Sequence, residues 1–133
     1  MIDVNWQLEL EREHVEQNDQ IEQLVTALLS TPPDLDTARN IVRAIDRELP
    51  DHLGREEAVM APWLAKVLPE AREELALLER QHVELFAQAT AARYALAGVT
   101  PAVDYGVALR FARKFADHLE RERRLVERAI ASS

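Results

Sequence analysis

Phe115-Ala116-Asp117-His118-Leu119-Glu120-Arg121-Glu122 sets a histidine and a glutamate four residues apart near the C-terminus. On a helix, residues i and i+4 lie one above the other on the same face. The apolar residues around them, Ala108, Phe111, Phe115, Leu125, Val126 and Ala129, recur at that same spacing. His118 and Glu122 therefore fall in the middle of the apolar stripe rather than on the wet side. A carboxylate in such a place is expensive unless a cation meets it. The rest of the chain reads as the source of that cation's other ligands.

The composition fits a helical protein. The 133 residues are enough for one domain with a real core, and residues 1–133 show no linker or low-complexity segment. There are 3 Gly and 6 Pro among abundant Ala, Leu, Glu and Arg, and no stretch alternates as a strand does. A net charge of −8 argues against nucleic acid, whose phosphates need a basic face. The absence of cysteine removes disulfides, thiolate zinc sites, iron–sulfur clusters and cysteine nucleophiles together. No apolar run approaches the ~18–20 residues of a membrane span. The N-terminal Met1–Trp6 has neither a basic head nor an apolar core of a secretory signal, so a cytoplasmic address is expected.

Working back from the opening stretch, the periodicity predicts four helices. The first runs from about Val4 to Ser30, with Leu10, His14, Ile21, Leu24, Val25 and Leu28 inward. Ser30-Thr31-Pro32-Pro33-Asp34 stops it and caps the next. The second runs from about Asp34 to Leu64, kinked at Pro50, with His52, Glu56, Val59 and Met60 continuing its stripe. Pro62 and Pro69 bracket a turn around Trp63–Leu68. The third helix spans about Glu70 to Ala97, with Leu75, Leu78, His82, Leu85, Phe86 and Ala89 inward and Gly98 as its C′ residue. Thr100-Pro101 starts the fourth, which continues to about Ala131. Short connections make this an all-α, up-down-up-down four-helix bundle.

The chain has four histidines, one per helix, all on the apolar stripe. With a stripe of roughly 3/7 of each helix, chance would do this about one time in thirty. His14 and His52 are 38 residues apart, and His82 and His118 are 36 apart. Each half of the chain offers a lone histidine followed by His-x-x-x-Glu: His14 with His52 and Glu56, then His82 with His118 and Glu122. Counting from the turns at ~1.5 Å per residue puts these groups at one level of the bundle. Four imidazoles and two carboxylates around one point describe a two-metal site. Imidazole and carboxylate without thiolate suit iron, manganese or zinc, and two carboxylates placed to bridge favour an iron pair. The bland alternative is a set of buried histidines satisfied by glutamates as structural ion pairs.

This pattern resembles the hemerythrin family, the HHE cation-binding domains, over essentially the whole chain. The resemblance rests on His14, on His52-x-x-x-Glu56, on His82 and on His118-x-x-x-Glu122, with Glu56-Glu57-x-x-Met60-x-Pro62 and Phe115-x-x-His118-Leu119 as flanking text. It implies a non-haem pair of iron ions bridged by oxygen and by two carboxylates, with manganese or zinc as lesser candidates. It implies dioxygen, peroxide or nitric oxide as the small ligands. Members carry oxygen reversibly, sense oxygen or iron, or react with peroxide. Two departures stand out. Oxygen carriers have a second histidine on the third helix where this chain has Phe86, and they space the last carboxylate five residues after the histidine rather than four. Both favour a reactive or iron-sensing relative over a carrier.

Other groups carry two readings. Glu11-x-x-His14 and Glu79-x-x-His82 form a second symmetric pair, so Glu11 and Glu79 are either ligands, partners that orient the histidines, or solvated surface. Phe86, Met60 and Leu85 line the pocket or serve as core. Glu57 is expected on the surface, Tyr94 and Tyr105 lie far along their helices, and Arg121–Arg124 is expected to be a solvated face. The leading expectation is an iron protein that binds and reacts with dioxygen or peroxide. The alternative is an iron or oxygen sensor without turnover, which would need a protein partner that the sequence does not identify.

Overall fold

The structure is a computed structural model that describes residues 5–97 and 105–132. Helix α1 spans Asn5–Leu29 and α2 spans Leu35–Arg55. A π-helical turn, Glu56–Met60, joins α2 to α3 at Ala61–Val67, so one helical rod runs from Leu35 to Val67. A 3-10 turn, Pro69–Ala71, leads into α4 at Arg72–Leu96, and α5 spans Tyr105–Ser132. Each rod packs on its sequence neighbour, and α1 closes the ring against α5. This is the expected up-down-up-down bundle. Among the described residues, no helix is long and apolar enough to cross a membrane.

The turn chemistry after α1 works as its residues require. The Asp34 side chain accepts the Thr37 backbone N–H at 3.1 Å, satisfying a donor that the first turn of α2 cannot bond internally. The Thr37 hydroxyl donates to the same carboxylate at 2.6 Å. At the far end of α4, Arg39 Nε donates to the Leu96 carbonyl at 2.6 Å and ties that helix end to α2. The expected Gly98 terminus and Thr100-Pro101 start lie outside the described residues.

Two expectations for the second rod need correction. Trp63–Val67 is helix, not turn, and only Leu68 leaves helical geometry before the 3-10 turn. Pro62 sits just past the π-turn, and its missing N–H removes one bond of the rod there. The rod passes through Pro50 as one unbroken α-helix, as expected, and a further irregularity is the π-turn that begins at Glu56. There the Ala61 N–H bonds the Glu56 carbonyl, five residues back. The wider turn moves Val59 off the apolar stripe, leaving it 42% exposed, while Met60 and Leu64 face inward.

The core has two hydrophobic layers. One gathers Leu24, Val42, Leu49, Leu85, Phe111 and Phe115, with neighbours from the same ends of the four rods. The other gathers Met60, Leu64, Leu78 and Leu125, with Trp6 and Trp63 packed edge to face against it at 5.4 Å. On every rod, the histidines and glutamates of the repeat fall between these layers.

Candidate metal centre

α1 contributes His14, α2 contributes His52, and the π-turn opens with Glu56. α4 contributes His82, and α5 contributes His118 and Glu122. All six expected side chains meet in one layer. His52, Glu56, His82, His118 and Glu122 are buried, and His14 is nearly so. They fall into two overlapping groups whose donor atoms lie within 4.8 Å of one another: His14, His52 and Glu56, then Glu56, His82, His118 and Glu122.

The carboxylates connect the histidine pairs. Glu56 Oε1 contacts Nε2 of His52 and lies 3.3 Å from Nε2 of His14, while its Oε2 lies 3.4 Å from Nε2 of His82. Glu122 does the converse. Its Oε1 contacts Nε2 of His118 and lies 3.7 Å from Nε2 of His82, and its Oε2 lies 3.3 Å from His14. The rings pair edge to face, His14 with His52 at 5.5 Å and His82 with His118 at 4.9 Å.

The outer nitrogens of three rings are held as well. His52 Nδ1–H donates to Glu13 at 2.7 Å, His82 Nδ1–H to Glu57 at 2.9 Å, and His118 Nδ1–H to Gln81 at 2.8 Å. A proton fixed on Nδ1 leaves the Nε2 lone pair of the neutral ring aimed inward. The hemerythrin HHE cation-binding domain model matches residues 8–130, nearly the whole chain.

The chain belongs to the hemerythrin HHE cation-binding family.

No curated protein and no solved structure gave a significant match to this hemerythrin relative. Its own donor set fits a cation. Nε2 of His52, His82 and His118, Oε2 of Glu56 and both oxygens of Glu122 are buried and face one another in contacts that lack hydrogen-bond geometry, with no other partner among the described residues. Polar atoms left so are costly, and here they converge on one layer. Burial alone would discharge these imidazoles, but the carboxylates overcome it. His14 is pushed up to about 9 by Glu122 and Glu56 against its desolvation. His82 is pushed up to about 10 in the same way, with Glu57 adding to it. His52 is also raised, and Glu56 is held well below the carboxylate range, since His14, His52 and His82 outweigh its burial. Without metal, the hemerythrin layer thus keeps its charges in balance by holding protons.

The orienting groups were the weak point of the sequence reading. Glu11 and Glu79 are exposed, and neither holds a histidine. Glu13, Gln81 and Glu57 do so instead. Glu57 is half-exposed as expected, yet it reaches His82. A signal was present: Glu13 and Gln81 each directly precede the lone histidine of their half. Each reaches the histidine of the following rod. Met60 and Leu85 belong to the two core layers, with Phe86 partly buried against one of them. Tyr94 is exposed. Arg123 and Arg124 pair with Glu120 on the exposed side of α5, where such bridges contribute little.

Proposed function

We propose that the chain holds a pair of iron ions between its two histidine pairs and brings dioxygen or peroxide to them. The observation that carries this reading is the way Glu56 and Glu122 each divide their two oxygens between the histidine pairs. A single ion would be served by one pair and one carboxylate. Two carboxylates spread across both pairs suit two cations side by side. In this reading His14 and His52 would hold one ion, His82 and His118 the other, and Glu56 and Glu122 would be shared between them. Imidazole and carboxylate donors without thiolate suit iron, manganese or zinc by ligand type, and two carboxylates shared between the pairs favour an iron pair. An iron pair supplies electrons to a small oxidant.

The chain's own residues set the conditions for that chemistry. The hydrophobic layers on either side keep bulk water from the donors. Glu13, Glu57 and Gln81 keep the imidazole lone pairs aimed inward. Glu57, half in solvent and bonded to Nδ1 of His82, is suited to exchange a proton with that ring. Phe86 stands where the oxygen carriers of the family have a further histidine, which leaves fewer protein donors and supports reactivity over reversible carriage. Elemental analysis and absorption of iron-loaded protein test the proposal. Two irons per chain with near-ultraviolet ferric bands are expected; one zinc per chain without such bands overturns it.

A second reading, an iron or oxygen sensor without turnover, is favoured by one observation. The centre draws a group from every rod, so its occupancy bears on the whole bundle. Peroxide turnover by the iron-loaded protein separates the two, since a sensor would be stabilised by iron and turn over nothing.

A further inference from the structure

A cleft of about 260 Å³ opens on the flank between α1 and α2, and its floor is His52. Four carboxylates line it: Glu13, Glu16, Glu48 and Asp51. One guanidinium, Arg55, faces them, and it is paired to Glu13. A cavity by the α1–α2 turn, lined by Asp19, Glu22 and Asp34, is acidic too but has no residue of the centre in its wall, and two others mix in arginines. The one beside Glu57 includes Arg72, and the one beside Glu120 includes Arg121, Arg124 and Arg128.

An independent observation points to a ligand in the acidic cleft. Gln17 occupies the stripe position of α1 between His14 and Ile21, lines the cleft, and is 8% exposed. Its Oε1 is buried without a hydrogen-bond partner among the described residues. A buried amide oxygen in that condition is destabilising unless something offers it a proton or a positive charge. The carboxylates around it make a hydrated cation the natural occupant.

The cleft also communicates with the centre. Glu13 divides its oxygens, Oε2 accepting from His52 Nδ1 and Oε1 pairing with Arg55. Glu13 and Arg55 line a second cavity, about 120 Å³, whose wall includes Glu56. The Glu13–Arg55 pair thus stands between the acidic cleft and a carboxylate of the centre.

We propose that the α1–α2 cleft is a transit site for divalent cations entering the centre. Glu16, Glu48 and Asp51 collect the hydrated ion, and the buried Gln17 amide oxygen gains a donor when the ion's water shell presses into the cleft wall. The ion then replaces Arg55 at Glu13 and passes to His52 and Glu56. Among the described residues, the cleft's carboxylates form no tight donor cluster like those of the centre. That looseness suits a site that must release its ion. The inference rests on the reading of the His/Glu layer as a metal centre.

Stopped-flow loading of the metal-free full chain with Co²⁺, followed by its visible absorption, tests the route. The triple variant Glu16→Gln, Glu48→Gln, Asp51→Asn alters exposed positions and is expected to keep wild-type helicity. It is expected to load about tenfold more slowly at low ionic strength. The gap should close at high salt, with the final spectrum and stoichiometry unchanged. Gln17→Leu should also slow loading without changing the end point. A control that removes the same charge from α4 and the turn before it, Glu70→Gln, Glu73→Gln, Glu84→Gln, should load at nearly the wild-type rate. The transit route is overturned if the cleft variant loads at the wild-type rate, or if the control slows equally; either way the metal centre stands. If wild-type protein takes up no cobalt, the metal centre itself is overturned, and the route with it.

Discussion

His118 shows how much of the centre depends on a neutral neighbour. Its ring is buried, with Nε2 against Glu122 and Nδ1–H given to Gln81. The other held rings, His52 and His82, give Nδ1–H to carboxylates. Removing such a partner lets the imidazole turn and lowers its basicity, and commonly costs 10–100-fold in metal affinity. Gln81→Leu is therefore expected to weaken metal binding by roughly that factor in a chelator competition. Gln81→Glu should retain binding, since its carboxylate accepts the same bond. A merely structural role for Gln81 would leave the chelator curve where it was. The ligand layer was legible because four histidines share one stripe and two glutamates follow at one turn. The orienting groups were not, because they act between rods. Glu13 is a neighbour of His14 in sequence but serves His52, and helical periodicity within one rod carries no information about that crossing. The repeat extends to Gln81 and His118, then stops: the counterpart of Glu57 in the second half is Arg123, which faces Glu120 and Glu127 in solvent.

At the scale of the element, the π-turn matters most. It begins at Glu56, and single π-turns of this kind commonly sit at functional sites. Four-residue steps from Glu56 to Met60 to Leu64 drift around an α-helix of 3.6 residues per turn. One extra residue in the turn absorbs the drift, so Met60 and Leu64 are buried while Val59 is not. The sequence reading placed both Val59 and Met60 inward because it assumed a uniform period. Deletion of Ala58, an exposed residue of the turn, should restore the α-helical period while keeping Met60 and Leu64 on the core side. The bundle is expected to fold with unchanged helicity by circular dichroism. Metal affinity should fall, because the widened turn carries both Glu56 and Glu57. Unchanged affinity in the deletion variant would make the π-turn incidental. The N-cap of α2 offers a separate test. Hydrogen bonds from the Thr37 hydroxyl and backbone N–H hold the Asp34 carboxyl below its ordinary 3.8. A depressed carboxyl stabilises the fold above its unfolded value and loses that contribution as pH falls through the folded one. Asp34→Ala should lower the melting temperature at pH 7, and the difference should shrink as acid titrates the depressed carboxyl.

For the whole molecule, the His/Glu layer gives the metal-free and metal-loaded protein opposite responses to pH. In the metal-free bundle, His14 and His82 are raised to about 9 and about 10, and Glu56 is depressed. A raised imidazole stabilises fully below its unfolded value of 6.5, and the contribution disappears as pH rises through the folded value. The depressed Glu56 stabilises above its unfolded 4.5 and is lost in acid. The metal-free protein should thus be most stable between about pH 5 and 6.5 and weaken steadily toward pH 9–10. Metal ions need the bare imidazoles, so loading at neutral pH must expel the protons held by His14 and His82. Rising pH therefore favours the loaded form while it undermines the metal-free one. The gain in melting temperature on loading should widen from pH 6 to pH 9, since a ligand bound to the folded state stabilises according to its affinity. Calorimetry of both forms across that range checks this, with proton release on loading measured in buffers of different ionisation heat. A metal-free protein that gains stability between pH 7 and 9 would mean that the imidazoles are not held protonated by Glu56 and Glu122. The consequence for the bundle follows from its architecture. All four rods meet at this layer, so either protons or metal must balance its two buried carboxylates, and the fold is weakest where neither does.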